Sequence, residues 1–253
     1  MTSPSSRILI TRAVVTGHTR GLGAALAEQL LSREIAVLGL SRSRNAALAN
    51  RYGTRLSEIE LDLAHARHVA QWAARDDLRR FIEGAHCVML LNNAGTVQPV
   101  GPLGAQAPEA IAQAVELNVA TPLILANALV AASAHGVERR IAHISSGAGR
   151  HAYAGWSIYC ATKAALDHHA QTVALDQNPT LRISSIAPGV VDTAMQAEIR
   201  GASTAQFPLR EKFDELKRSG QLATPEDTAA KLVAYLLSET FGQMPVADIR
   251  EIA

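Results

Sequence analysis

The feature that most constrains this chain is a strand that runs straight into glycine. Ala13 to Thr16 is apolar and β-branched, and Gly17-His18-Thr19-Arg20-Gly21-Leu22-Gly23 follows it. Ala24 to Arg33 then has helical composition without Pro or Gly. Glycines permit positive φ and close backbone approach, while a helix start offers free N–H groups and a positive dipole end. Strand, glycine turn and helix together suit a pyrophosphate, so Gly17, Thr19, Arg20, Gly21, Leu22 and Gly23 are candidate cofactor-binding residues. A glycine triad alone also occurs in plain turns, and the rest of the chain must decide.

The alternation continues. Ile35 to Leu40, Leu56 to Leu61, Cys87 to Leu91, Ile141 to Ser145, Arg182 to Ala187 and Val246 to Ile249 read as six further strands. Cys87 to Leu91 is apolar at every position, as in a parallel strand buried on both faces. Ala64 to Phe81, Glu109 to Ala134 and Trp156 to Gln177 have helical patterns, and Thr224-Pro225-Glu226-Asp227 opens another helix to Glu239. Strands alternating with helices predict one α/β domain on a parallel sheet of about seven strands. Residues 1–11 are expected to form a short arm, residues 12–253 the domain, and 190–222, where the pattern loosens, a mobile substrate lid.

Composition excludes several classes. At 253 residues and 48% apolar the chain can bury one large core, and a net charge of +1 gives no broad field for nucleic acid or an anionic membrane. Cys87 and Cys160 belong to no CxxC or Cys/His cluster, so neither a disulfide framework nor a metal site is expected. The start is polar, Ile8 to Ile10 is too short for a signal-peptide core, and no run approaches the ~20 apolar residues of a membrane span. A cytoplasmic protein is expected.

The candidate chemistry lies at strand ends. Ser41-Arg42 follows the second strand where an acid would favour NAD; Arg42 with Arg20 either forms a clamp suited to the 2′-phosphate of NADP or belongs to a solvated basic loop, and Arg44 is a bystander. Asp62 either accepts from an adenine amino group or caps the next helix. Asn93-Ala94-Gly95 suits backbone passing against a cofactor. Asn118, an amide in an apolar segment, either satisfies neighbouring backbone or holds a water. Ser146 closes the fifth strand, and thirteen residues later Tyr159 stands one helical turn before Lys163. An ammonium there is expected to lower the phenol's pKa towards working pH, as general acid/base chemistry requires.

In order and spacing, Thr16-Gly17-xxx-Gly21-x-Gly23, Asp62, Asn92-Asn93-Ala94-Gly95, Asn118, Ser145-Ser146, Tyr159-xxx-Lys163 and Pro188-Gly189 resemble the short-chain dehydrogenase/reductase family, classical type. The resemblance implies a single-domain Rossmann-type doubly wound sheet, an NADP(H) cofactor, a small-molecule carbonyl substrate and a homodimer or homotetramer. It implies Tyr159 as acid/base, Ser146 as the group that polarises the carbonyl, Lys163 holding the nicotinamide ribose and Asn118 in a proton relay. Pro188, Gly189, Val191 and Thr193 join the cofactor-binding set. Gly155 to Ala165 and Ala187 to Gln196 are similar to sepiapterin reductases and bacterial benzil reductases, which makes Trp156 and Asp248 candidate substrate contacts, with a structural Asp in the last strand the equal alternative for Asp248. The expected activity is NADPH-dependent reduction of a ketone, aldehyde or α-dicarbonyl. A non-catalytic NADP-binding regulator and an epimerase or dehydratase on the same fold stay open.

Overall fold

The computed structural model describes residues 9–201 and 203–252. In chain order the elements are β1 (Thr11–Thr16), α1 (Gly21–Leu31), β2 (Ala36–Ser41), α2 (Ala46–Tyr52), β3 (Leu56–Glu60), α3 (Ala66–Ala73), α4 (Asp77–Ile82), β4 (Cys87–Asn92), α5 (Pro108–Val115), α6 (Thr121–Ala132), β5 (Glu138–Ile144), α7 (Ser157–Leu175), β6 (Leu181–Ala187), α8 (Ala194–Gly201), α9 (Arg210–Arg218), α10 (Pro225–Leu237) and β7 (Val246–Asp248). The strands form one sheet in the order β3-β2-β1-β4-β5-β6-β7, and all neighbours are parallel. The expected doubly wound α/β sheet of seven strands is present. Strand order reverses beside β1, and in such sheets the crevice at that switch point is where ligands bind.

Both faces of the sheet are covered, which is why its central strands are apolar throughout. Ala13 and Val15 of β1 pack with Leu26, Leu30, Leu232 and Phe241 from the side of α1 and α10. Val14 packs with Trp72, Leu125, Leu129 and Ala170 from the side of α3, α6 and α7. Trp72 is thus a core residue.

Several boundaries differ from the sequence reading. β1 starts at Thr11, inside the expected arm, and residues 1–8 of that arm lie outside the described residues. β5 starts at Glu138 because Arg139 and Arg140 are buried in the strand: Arg139 donates to Thr180 O, and Arg140 to Leu236 O and Ser238 O. Their charges hid the strand. The expected helix Ala64 to Phe81 is two, α3 and α4. The helical stretch Pro108–Ala132 is, against expectation, long and apolar enough by composition to cross a membrane, yet Leu125, Ala126 and Leu129 in it are core residues. The expected lid contains α8 and α9, and its Phe207 and Phe213 are buried against Trp156. α10 begins as read, with Thr224 Oγ1 accepting from Asp227 N at 3.0 Å.

Candidate active site

The glycine turn is built to approach closely. Gly17 and Gly21 have φ of +68° and +52°, a region that costs other residues strain. Gly23 is helical, but a Cβ there would stand 2.0 Å from Gly17 O and 2.5 Å from Asn93 Nδ2. The turn therefore packs on its own first residue and on the end of β4. Thr16 ties these ends together. Its Oγ1 accepts from Asn93 N and Ala94 N, both at 2.9 Å, and Asn93 Nδ2 donates to Thr16 O at 2.9 Å. Beneath the turn His18 is fully buried, with Nε2 2.7 Å from Glu58 Oε1, and that same carboxylate oxygen accepts from Asn45 N at 2.6 Å. A Cβ on Gly39 would lie 2.5 Å from the His18 ring. Thr16 entered the sequence reading only as the first residue of the glycine motif, and His18, Glu58 and Gly39 were not singled out, because each signal depends on a partner dozens of residues away.

A cleft of about 920 Å³ opens over this turn. Gly17, Thr19, Arg20, Gly21, Leu22, Gly23, Arg42, Asp62, Asn93, Ala94, Gly95, Ser146, Trp156, Tyr159, Lys163, Pro188, Gly189, Val191 and Thr193 all line it. Arg20 and Arg42 are exposed and make no ion pair among the described residues, whereas Arg44 Nε pairs with Glu60 Oε1 at 2.9 Å. Asp62 does not cap α3: its Oδ1 accepts from Ala64 N at 3.0 Å, and His65 occupies the cap position. The start of α1 carries no side-chain cap and no acid in its first turn, which leaves its N–H groups to a ligand anion.

The reacting groups sit at the other end of the cleft. Ser146 ends the run from β5, its Oγ accepts from Ala148 N at 3.1 Å, and it shares the cleft wall with Tyr159. Ser145 is buried and its Oγ has no partner among the described residues, and Ser146 is the serine whose hydroxyl bears on the Tyr159 phenol. Lys163 Nζ donates to Ile144 O at 2.8 Å and lies 5.7 Å from the centre of the Tyr159 ring. Burial pushes the phenol up to about 12, opposed by the Ser146 hydroxyl. This differs from the expectation of a phenol lowered by Lys163: desolvation of the phenolate wins, and the ammonium is turned to a backbone carbonyl. Burial likewise pushes Lys163 down to about 8, opposed by Asp167.

Asn118 sits in a π-helical turn, Glu116–Ala120, between α5 and α6. Such turns recur at functional sites because the extra residue shifts the side-chain register. Its Oδ1 accepts from Thr96 N at 2.9 Å, and Nδ2 donates to Thr96 O at 2.8 Å and Thr162 Oγ1 at 3.2 Å. Of the two sequence readings, the amide satisfying neighbouring backbone is the one observed. It stands behind Gly95, where a Cβ would be 3.2 Å from Asn118 Oδ1 and 3.6 Å from Lys163 Nζ.

Trp156 walls the cleft, stacked on Phe207 at 4.5 Å and edge-on to Tyr159 at 5.3 Å. Asp248 does not line it. Arg250 takes both carboxylate oxygens, Nε to Oδ1 at 2.9 Å and Nη2 to Oδ2 at 2.6 Å, and holds the acid below its ordinary range. Arg250 is the residue of this pair on the cleft wall. Of the two readings of Asp248 the structural one is observed, through an ion pair with Arg250 that sequence spacing did not reveal.

A family model of short chain dehydrogenases matches residues 11–203. The chain is 35% identical to a benzil reductase ((S)-benzoin forming) of Bacillus cereus, over 94% of this chain and 98% of that protein. It is 33% identical to sepiapterin reductase of Bos taurus, over 91% of each. The crystal structure of a short-chain dehydrogenase/reductase from Burkholderia vietnamiensis, 53% identical, superposes with a TM-score of 0.70 over 96% of this chain and 98% of that one. With the seven-stranded parallel sheet, the glycine turn at its switch point and this likeness along nearly the whole length, the chain belongs to the short-chain dehydrogenase family.

Proposed function

We propose that the protein is an NADP(H)-dependent reductase of ketones, aldehydes or α-dicarbonyls, with Tyr159 as the general acid/base. The observation that carries the reading is the meeting of Ser146 with the buried Tyr159 and Lys163 on the wall of the cleft that the glycine turn also lines. The residues present fit a nicotinamide dinucleotide. The uncapped start of α1 suits the pyrophosphate, and Asn93 to Gly95 and Pro188 to Thr193 form backbone walls. Arg20 and Arg42 lack protein partners among the described residues and sit where a 2′-phosphate is expected, which supports NADP over NAD. When bound, the nicotinamide supplies the hydride that goes to the carbonyl carbon. Tyr159 gives its proton to the carbonyl oxygen, Ser146 donates a hydrogen bond to the charge developing there, and the product is the alcohol. Lys163 steadies the phenolate left behind, and Asn118 fixes the Gly95-Thr96 backbone against the site. Trp156 and Phe207 supply an apolar wall for the substrate. Benzil reduction by the Bacillus cereus relative supports a dicarbonyl substrate. We also assign homo-oligomerisation to the outer faces of α5 and α7, where Val115 and Leu175 are exposed. The test is NADPH consumption by the purified protein with benzil and a panel of aldehydes and ketones. Turnover with NADPH well above that with NADH is expected; tight NADPH binding with no carbonyl accepted would overturn the assignment.

A further inference from the structure

α7 carries a third polar group on the side that bears Tyr159 and Lys163. Asp167 stands one turn beyond Lys163, and it is only 6% exposed. Burying a carboxylate is costly unless partners compensate. Its partners come from two other elements. Oδ1 accepts from Ser185 Oγ on β6 at 2.6 Å, while Oδ2 makes no hydrogen bond among the described residues and faces the Arg150 guanidinium at 3.4 Å. Arg150 follows the short turn Gly147–Gly149 that Ser146 opens, and it also donates to Ala247 O on β7 at 3.0 Å. Gly149 bares its backbone to the same acid: a Cβ there would lie 2.7 Å from Asp167 Oδ2 and 3.1 Å from Lys163 O. Asp167 does not line the cleft, yet it abuts both elements that present the reacting groups.

We propose that Asp167 is a positioning residue, the counter-charge of the buried Lys163 ammonium and the anchor of the turn that presents Ser146. The inference rests on the reading above, in which Lys163 serves Tyr159 as a cation. Lys163 has one hydrogen bond, to Ile144 O, and forms no ion pair among the described residues. The other charged or titratable groups facing this region are Arg150 from the turn, Asp248 and Arg250 around β7, His143 on β5, and His169 and Tyr159 on α7. None replaces Asp167. Asp248 is held by two side-chain hydrogen bonds from Arg250, whereas Arg150 stands 3.4 Å from Asp167 Oδ2 without one; burial keeps His143 neutral, and Arg150 carries the wrong sign. Asp167 is the acid that opposes the effect of burial on Lys163.

The test is an NMR titration of the cofactor-free protein labelled with [ε-13C]lysine, which gives signals from four lysines, Lys163 being assigned by its loss in Lys163→Arg. In the wild type Lys163 is expected to titrate near 8. In Asp167→Asn the midpoint is expected about one pH unit lower, with the alkaline limb of kcat/KM for carbonyl reduction displaced alike. In Arg150→Gln, which frees the Asp167 charge, it is expected to rise. An unmoved midpoint in Asp167→Asn with only a lower Tm makes the acid a structural tie and overturns the proposal. Should Asp167→Asn not fold, an unmoved or lowered midpoint in Arg150→Gln does the same. A wild type that reduces no carbonyl defeats the proposed function, and the titration still decides the role of Asp167.

Discussion

Replacing Thr16 by valine keeps the volume and β-propensity of the last residue of β1 and removes one oxygen. That oxygen accepts from two backbone N–H groups, of Asn93 and Ala94, both at 2.9 Å. Thr16 is 2% exposed, so its oxygen is the buried partner of both N–H groups. An orphaned buried N–H costs on the order of 1–2 kcal/mol, so the pair predicts about 2–4 kcal/mol of lost stability. For a domain of this size that is a fall in Tm of roughly 5–15 °C. Thr16→Ser keeps the hydroxyl and should recover most of the loss. Function should follow, because Asn93, Ala94 and Gly95 line the cleft and would lose their fixed register. Thermal unfolding and NADPH titration of the three proteins provide the assay. Thr16→Val within about 0.5 kcal/mol of wild type, the range of ordinary surface changes, would refute the view that this hydroxyl locks β1 to β4.

Arg42→Ala is expected to weaken NADPH by about tenfold or more, the scale of one charge-assisted contact, and to leave NADH within about twofold; equal losses in fluorescence titrations would reject the arginine fork. His143, buried between Asn92 and His169 with ring contacts of 3.1 Å to each, is held neutral by burial, its pKa down to about 3. The unfolded chain binds that proton first, so this contribution is complete above the ordinary value of 6.5 and is lost as pH falls towards 3. Between about pH 5.5 and 4 it amounts to about 1.4 kcal/mol per pH unit, and His143→Leu should flatten the denaturation free energy over that window. A slope unchanged by the substitution would remove His143 from the account.

What was legible in the chain was whatever is written locally. The strand-turn-helix at Gly17 to Gly23, the apolar run of β4 and the Thr224 cap each carry their signal within a few residues, and each appears where it was read. Contacts across the sheet were not legible. Arg139 and Arg140 look like surface residues until Thr180, Leu236 and Ser238 supply carbonyls. The Asp248 carboxylate looks available until Arg250 folds back on it. The tyrosine was misjudged for the same reason: spacing reports that Lys163 is near, but not that burial raises the phenol while the ammonium turns to Ile144 O. The irregular composition of 190–222 was read as looseness, yet Phe207 and Phe213 hold α8 and α9 onto Trp156.

The central claim is that Tyr159 moves the proton while the cofactor is held by other residues. It is tested most directly by Tyr159→Phe, which removes one oxygen and keeps the ring packed edge-on against Trp156. NADPH consumption with an α-dicarbonyl that the wild type accepts should fall by about 10³-fold or more, the range of general acid catalysis, while the Kd for NADPH changes by no more than a few-fold. Turnover retained within tenfold of wild type would contradict the account.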